Sequence, residues 1–147
     1  MLEDLDRQIV GLLAGDGRMS YTDLGRATGL SVSAVHQRVR RLEQRGVIQS
    51  YSARIAAEKV GLPLTAFVSI KPIDPAGGED TPERLAHLEA IEACHSVAGD
   101  ENYILKVRVA GPQELETLLQ QIRALAGVNT RTTVVLSTPY EGRPLKV

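Results

Sequence analysis

The sequence contains one cysteine, no tryptophan and a single phenylalanine. One cysteine excludes a disulfide bond within the chain, and the scarcity of aromatic side chains predicts an aliphatic core. It also argues against binding of single-stranded nucleic acid, because bases would stack on aromatic side chains. There is no long apolar run, and the first residues are charged and amphipathic. We therefore expect neither a membrane span nor a signal peptide, and a cytoplasmic protein.

The sequence offers little that would support catalysis or metal binding. Cys94 and His95 are adjacent and His87 lies nearby, but no second cysteine and no HxxxH spacing accompanies them. An acidic residue that would orient a Cys-His pair is not recognisable either. We therefore expect no enzymatic activity, no catalytic residue and no metal site.

Charge divides the chain into two parts. Residues 1–60 contain nine Lys/Arg and seven Asp/Glu, whereas the remainder contains eight and eleven, so a net charge of −1 combines parts of about +2 and −3. The positive excess lies between Ser31 and Arg54, which hold five Arg and one Glu. The phosphate backbone of a DNA duplex would attract this segment.

Residues 20–48 predict a helix, a tight turn and a second helix, the layout of a helix-turn-helix DNA-binding motif. Ser20 and Asp23 have the spacing of a capping box, so the first helix should begin just after Ser20. Gly29 should end it, because glycine can adopt the left-handed conformation that a sharp turn between helices requires. An amphipathic helix at residues 5–13 completes a three-helix unit.

The second helix of this pair has an apolar side and a polar side. Val35, Val39 and Leu42 recur at helical spacing and predict the buried side. The polar side suits DNA, since Gln pairs with adenine, Arg with guanine or phosphate, and Ser with either kind of partner. An ordinary solvated basic surface is the alternative, and it applies most to His36. The candidate DNA-binding residues are Ser31, Ser33, His36, Gln37, Arg40 and Arg41.

The rest of the chain predicts alternating strands and helices in the order βαββαβ. Residues 47–54 could be a strand, a wing or a linker, and residues 59–63 mark a boundary. This order is the ferredoxin-like arrangement, in which two helices cover one side of a sheet and leave the other side bare. The predicted strands are 64–71, 94–98, 103–110 and 129–138, and the predicted helices begin at a Thr81 cap, with Leu85, Leu88 and Ile91 on the apolar side, and at Pro112.

The bare side of the sheet predicts self-association. Phe67, Ile104 and Val135 would lie on it or near it, and apolar side chains exposed together need a partner surface. A second copy of the chain packed sheet against sheet is the simplest solution.

Four segments resemble the Lrp/AsnC (leucine-responsive, or feast/famine) transcriptional regulators. They are LDRQIVGLL, TDLGRATGLSVSAVHQRVRRLEQRGVIQSYSA, CHSVAGDENYILKV and GVNTRTTVVL. The resemblance implies an α+β protein with a winged helix-turn-helix domain (1–50), a linker strand or hinge (51–62) and a ferredoxin-like effector-binding and oligomerisation domain, often called RAM (63–147). It also implies double-stranded DNA as a partner, homodimers that assemble into tetramers or octamers, and an amino-acid effector with no other cofactor.

The resemblance places the effector beside one turn and the last strand. A glycine turn exposes backbone amides to a carboxylate, and Asp100 can accept from an ammonium group, so the turn suits a zwitterion. The family commonly has a second Asp where this chain has Asn102, and the neutral amide predicts a neutral, apolar amino acid rather than lysine. A simple hairpin turn is the alternative. The implied effector-binding residues are Gly99, Asp100, Glu101, Asn102, Tyr103, Thr132, Thr133 and Val134.

Two other functions remain open at this point. Siroheme decarboxylases resemble this family in fold and keep a helix-turn-helix, and such an enzyme would bind a coloured tetrapyrrole and ignore DNA. A DNA-packaging protein without a ligand is the other alternative, and it would not respond to any amino acid.

Overall fold

A computed structural model describes all 147 residues, and they divide into two compact units. The first unit contains Met1–Arg54 together with Pro139–Val147, and the second contains Ile55–Thr138. The sequence analysis assigned residues 63–147 to the second domain, and residues 139–147 of that range pack with the first unit. There, backbone carbonyls of this segment accept hydrogen bonds from Arg54.

The first unit is a bundle of three helices, α1 (Asp4–Gly15), α2 (Tyr21–Thr28) and α3 (Val32–Gln44). The predicted limits of α2 are confirmed. The Ser20 hydroxyl accepts a hydrogen bond from the Asp23 amide at 3.0 Å, which satisfies a free donor of the first turn. Gly29 follows the helix with φ of 74°, the left-handed conformation that reverses the chain toward α3.

Each of these helices contributes one apolar side to a small core. The buried side of α3 is the one that the spacing predicted, and α1 and α2 pack against it. The fully buried residues of this core are Ile9, Leu24, Val35, Val39 and Leu42.

A charged group is buried beside this core. Asp6 on α1 is 2% exposed, and its carboxylate accepts a hydrogen bond from Arg38 Nη1 on α3 at 2.9 Å. The same nitrogen donates to Glu3 at 3.0 Å. The hydrogen bonds to Asp6 and Glu3 raise the pKa of the Arg38 guanidinium. Since a buried carboxylate is costly without such a partner, this pair fixes α3 against α1.

Of the three alternatives for residues 47–54, a strand, a wing or a linker, the structure contains the linker. These residues lie in a turn and an extended linker, and residues 49–56 are all exposed. A wing strand needs a neighbouring strand to accept and donate its backbone hydrogen bonds. The first unit contains no strand that could provide them.

The second unit has the predicted order βαββαβ after a short 3₁₀ helix (Ala57–Val60). All strand pairs are antiparallel and the sheet order is β2-β3-β1-β4, which confirms the ferredoxin-like arrangement. The longest helix has 15 residues, and none of the helices is suited in length and apolarity to a bilayer crossing. Its elements are β1 (Leu64–Pro72), α4 (Thr81–Leu85), β2 (Ile91–Ser96), β3 (Tyr103–Val109), α5 (Pro112–Ala126) and β4 (Val128–Val134).

The helix predicted from a Thr81 cap is much shorter than its apolar spacing suggested. Thr81 is the first helical residue rather than the cap, and its buried hydroxyl has no hydrogen-bond partner. The helix ends at Leu85, and Ile91 lies in β2 opposite Val107 of β3. Sheet pairing at Ile91 therefore overrides the helical spacing, although Leu88 still packs against the core.

Two strands also differ from their predicted limits. β2 lies earlier than 94–98, because Val97 leaves the sheet and its amide donates to the Asn102 carbonyl across the turn at 3.0 Å. β4 stops before residue 138. The Val135 amide donates to Thr65, and β1 itself begins one residue earlier, so no further partner strand is present.

Helices α4 and α5 cover one side of the sheet only. Alternate residues of β1 and β3 are fully buried under the helices, whereas their neighbours point to the other side. Phe67 lies near the centre of this uncovered side, 39% exposed, between Lys106 on β3 and Thr133 on β4. The uncovered side contains Thr65, Phe67, Ser69, Ile104, Lys106, Arg108, Arg131 and Thr133.

We expect Asp6→Ala to lower the free energy of unfolding of the first unit by about 2 kcal/mol, because it leaves Arg38 without its closest counter-charge. Urea titration followed by circular dichroism measures this. Asp4→Ala is the matched control, because Asp4 lies on the same helix but is exposed. Equal losses for the two variants would contradict a special role for the buried pair.

Candidate functional site

The turn between α2 and α3 depends on a second glycine that the sequence analysis did not single out. A Cβ atom on Gly25 would lie 2.6 Å from the Leu30 carbonyl oxygen. The Leu30 amide in turn donates to the Gly25 carbonyl at 3.1 Å. Glycine at position 25 therefore allows the backbone of the turn at Leu30 to pack closely against α2, and this contact sets the direction of α3. Close packing of two backbones leaves no periodic signal in a sequence.

Helix α3 presents all its candidate DNA-binding residues to solvent. The Ser31 hydroxyl caps the helix by accepting from the Ala34 amide at 3.2 Å, and it lies 3.3 Å from the Ser33 hydroxyl. The His36 ring meets the Tyr21 ring of α2 edge-on, with ring centres 5.5 Å apart. The exposed candidates are Ser31, Ser33, His36, Gln37, Arg40 and Arg41.

The arginines of this region differ in how much charge they can offer to DNA. Arg38 is paired with Asp6 and Glu3, so most of its charge is compensated inside the unit. Arg40, Arg41 and Arg45 are exposed and have no ion-pair partner in the chain. These three guanidinium groups therefore supply the positive potential of the surface.

In the second unit, a small open cavity of about 260 Å³ lies at the turn between β2 and β3. The Asn102 amide donates to the Ile70 carbonyl at 3.0 Å and so ties the turn to β1. No backbone hydrogen bond uses the amides of Gly99, Asp100 or Glu101. Free amides beside a cavity can receive a carboxylate. The lining consists of Ser96, Val97, Ala98, Gly99, Glu101, Asn102 and Tyr103.

The acid that lines this cavity is Glu101, whereas Asp100, which the sequence analysis favoured as the ammonium acceptor, is exposed and lies outside the lining. The Glu101 side chain is 22% exposed. Its carboxylate lies 3.6 Å from Arg131 Nη1 on β4. This cation was not predicted, because the pair joins residues from different strands.

A single chain does not bring the two predicted halves of the effector site together. Thr132, Thr133 and Val134 are absent from the cavity lining. These three residues lie opposite the beginning and middle of β1. The turn enters β3 at Tyr103, which lies opposite Ile70, near the other end of β1. Arg131 is the β4 residue that reaches the turn.

Cys94 and His95 do not act as a pair. Strand alternation places Cys94 opposite Leu105 on the helix-covered side and His95 opposite Ile104 on the uncovered side. Burial raises the pKa of the Cys94 thiol, and the negative charge of Glu83 raises it further. The thiol therefore lacks the lowered pKa of an activated nucleophile.

Two protein-family models match the chain. The AsnC-type helix-turn-helix domain matches residues 2–43, and the Lrp/AsnC ligand binding domain matches residues 65–145. Together with the geometry, these matches define a helix-turn-helix module joined to a ligand-binding module of ferredoxin-like fold.

Relatives match over nearly the full length. The HTH-type transcriptional regulator LrpA of Mycobacterium tuberculosis is 56% identical over 142 residues, which cover 97% of this chain and 95% of the relative. The leucine-responsive regulatory protein of Escherichia coli is 39% identical over 152 residues, covering 99% of this chain and 92% of the relative. The feast or famine regulatory protein of M. tuberculosis complexed with L-methionine has 54% identity and a TM-score of 0.96, with 99% of both chains covered. The chain belongs to the Lrp/AsnC family of transcriptional regulators, as the four sequence segments predicted.

Proposed function

We propose that this protein is a cytoplasmic transcriptional regulator that binds specific sites in double-stranded DNA through α3. In this proposal a neutral, apolar amino acid binds to the second unit and changes the assembly of the protein or its affinity for DNA. The observation that carries the DNA-binding role is the division of α3 into a fully buried apolar side and an exposed side of amide, hydroxyl and guanidinium groups.

The exposed side of α3 contains side chains that can contact both the bases and the phosphates of a DNA duplex. Gln37 can bond in a bidentate manner to adenine, and Arg40 to guanine or to a phosphate. Arg41 and Arg45 add positive charge near the phosphates, which lowers the free energy of binding in a salt-dependent manner. The buried Asp6–Arg38 pair holds α3 in place, which limits the freedom that the helix would lose on binding.

We further propose that the functional unit is a homodimer formed through the uncovered side of the sheet, which can assemble into tetramers or octamers. Phe67 supports this arrangement because it is a large apolar side chain exposed at the centre of that side. One short helix contacts few base pairs, and a dimer would present two copies to half-sites about one helical turn apart.

The effector proposal depends on the cavity at the β2–β3 turn. The unused amides of Gly99 and Glu101 can receive the carboxylate of an amino acid, and the Glu101 carboxylate can receive its ammonium group. L-methionine, present in the complex of the M. tuberculosis relative, has the neutral and apolar side chain that we expect here. The residues on β4 could complete the site when a second copy or a second dimer approaches.

We expect the double change Gln37→Ala and Arg40→Ala to weaken binding to a specific operator by about 100-fold, because each residue loses contacts to base edges or phosphate. Titration by fluorescence anisotropy measures this, and circular dichroism shows that the fold is retained. Arg84→Ala is the control, since it removes one exposed arginine from α4. Unchanged operator affinity in the double variant would overturn the assignment of α3.

We expect Phe67→Asp to convert the dimer to a monomer, because a carboxylate would have to be buried without a partner in the interface. Sedimentation velocity measures the change. Leu125→Asp is a matched control, as Leu125 is 36% exposed but lies on α5, behind the sheet. A dimer that persists in the Phe67 variant would argue against sheet-to-sheet packing.

We expect Glu101→Gln to weaken L-methionine binding by about tenfold or more, because it removes the only carboxylate that lines the cavity. Isothermal titration calorimetry measures this, with Asp100→Asn as the matched control. If Asp100→Asn alone weakens L-methionine binding, Asp100 and not Glu101 is the acceptor of the ammonium group.

A further inference from the structure

The segment 139–147 follows the second unit in the chain but packs with the first. It forms no helix or strand, and the residues that precede it, from β4 to Thr138, belong to the other unit. A segment without secondary structure usually stays mobile unless particular contacts fix it. Three sets of contacts do so here.

The first contact is a fork of hydrogen bonds from Arg54, the last residue of the first unit before the linker. Its Nη2 donates to the Glu141 carbonyl at 2.8 Å and its Nη1 donates to the Gly142 carbonyl at 3.3 Å. Two consecutive carbonyl oxygens match the planar geometry of one guanidinium group. A lysine could not make both bonds with the same geometry.

The second contact depends on Gly142 itself. Its φ is +64°, in the left-handed region that a β-branched side chain avoids. A Cβ atom there would also lie 2.8 Å from Arg54 Nη2. The backbone conformation therefore favours glycine, and any other residue would displace the Arg54 guanidinium from its position over the segment.

The third contact lies at the other end of the segment. Val147 lines a groove of about 390 Å³ on α1 and α2, together with Leu12 of α1 and Ala27 of α2. Within the segment, the Arg143 guanidinium lies 3.8 Å from the centre of the Tyr140 ring, and this contact stiffens the segment.

From these contacts we infer that the groove on α1 and α2, together with Arg54, is a docking surface for residues 139–147 of the same chain. The docked segment acts as a strap: it ties the end of β4 to the DNA-binding unit by a second connection, in addition to the linker after Arg54. Because Thr132, Thr133 and Val134 lie on β4, just before this segment, an effector that contacts β4 can act on the DNA-binding unit through the strap. This last step rests on the proposed function, whereas the docking does not.

Limited digestion with trypsin tests the docking, because trypsin must take up the Arg54 guanidinium to cut after it. We expect Gly142→Val, which changes no cleavage site, to raise the rate of cleavage after residue 54 about tenfold relative to cleavage after Lys59 in the same chain. Arg54→Lys should be cut at position 54 at a similarly raised rate. Leu145→Ala is the control, since Leu145 is 83% exposed within the same segment.

Equal cleavage in the wild-type protein and the Gly142→Val variant would overturn the docking. Protection that is lost on dilution of the wild-type protein would assign the docked segment to a second copy and would overturn the connection within one chain.

A second measurement tests the coupling. We expect Gly142→Val to bind L-methionine with unchanged affinity in calorimetry but to lose the effect of L-methionine on operator affinity, whereas Leu145→Ala keeps it. A full response in Gly142→Val would overturn the role of the strap. If the wild-type protein fails to bind L-methionine, the effector proposal fails in that form, and the trypsin result alone decides the docking.

Discussion

The structure is governed by a sheet that is covered on one side only. Helices α4 and α5 bury alternate residues of β1 and β3, and nothing in the chain covers Phe67 on the other side. Near Phe67, the single carboxylate of Glu92 pairs with both Lys106 and Arg108. An apolar centre whose neighbouring charges are ion-paired is suited to contact between two copies, because pairing reduces the repulsion between like charges across the interface. In the homodimer that we propose, this property of the second unit would bring two DNA-binding units together for recognition of two half-sites.

The electrostatics of DNA binding are more restricted than the composition implies. Of the five arginines between Ser31 and Arg54, one compensates the buried Asp6 and one holds backbone carbonyls of the segment 139–147. The remaining three, all on or next to α3, face solvent without a counter-charge. The field that attracts a duplex therefore originates on the same surface as the side chains that can contact bases, so attraction and orientation act together.

Local signals in the sequence predicted the first unit well, because a capping residue or a glycine after a helix acts within a few positions. The limits of α2 followed from Ser20 and Gly29 in this way. Prediction failed where distant partners decide the structure. Ile91 joined the sheet instead of α4 because Val107 is its partner. For residues 47–54 the sequence left a strand, a wing or a linker open, and the absence of a partner strand decides for the linker. At the turn, spacing could not distinguish Asp100 from Glu101, since the direction of a turn side chain depends on the fold around it.

In the effector site that we propose, the charge balance of the cavity favours a neutral amino acid over a basic one. Its lining has one carboxylate, Glu101, which is already paired with Arg131. The ammonium group of a zwitterion can replace the guanidinium at Glu101, while its carboxylate meets the free amides of the turn or the released Arg131. A lysine side chain would add a second cation beside Arg131, and Asn102 offers it no charge. The repulsion would oppose binding, so an uncharged side chain is the one that we expect in this cavity.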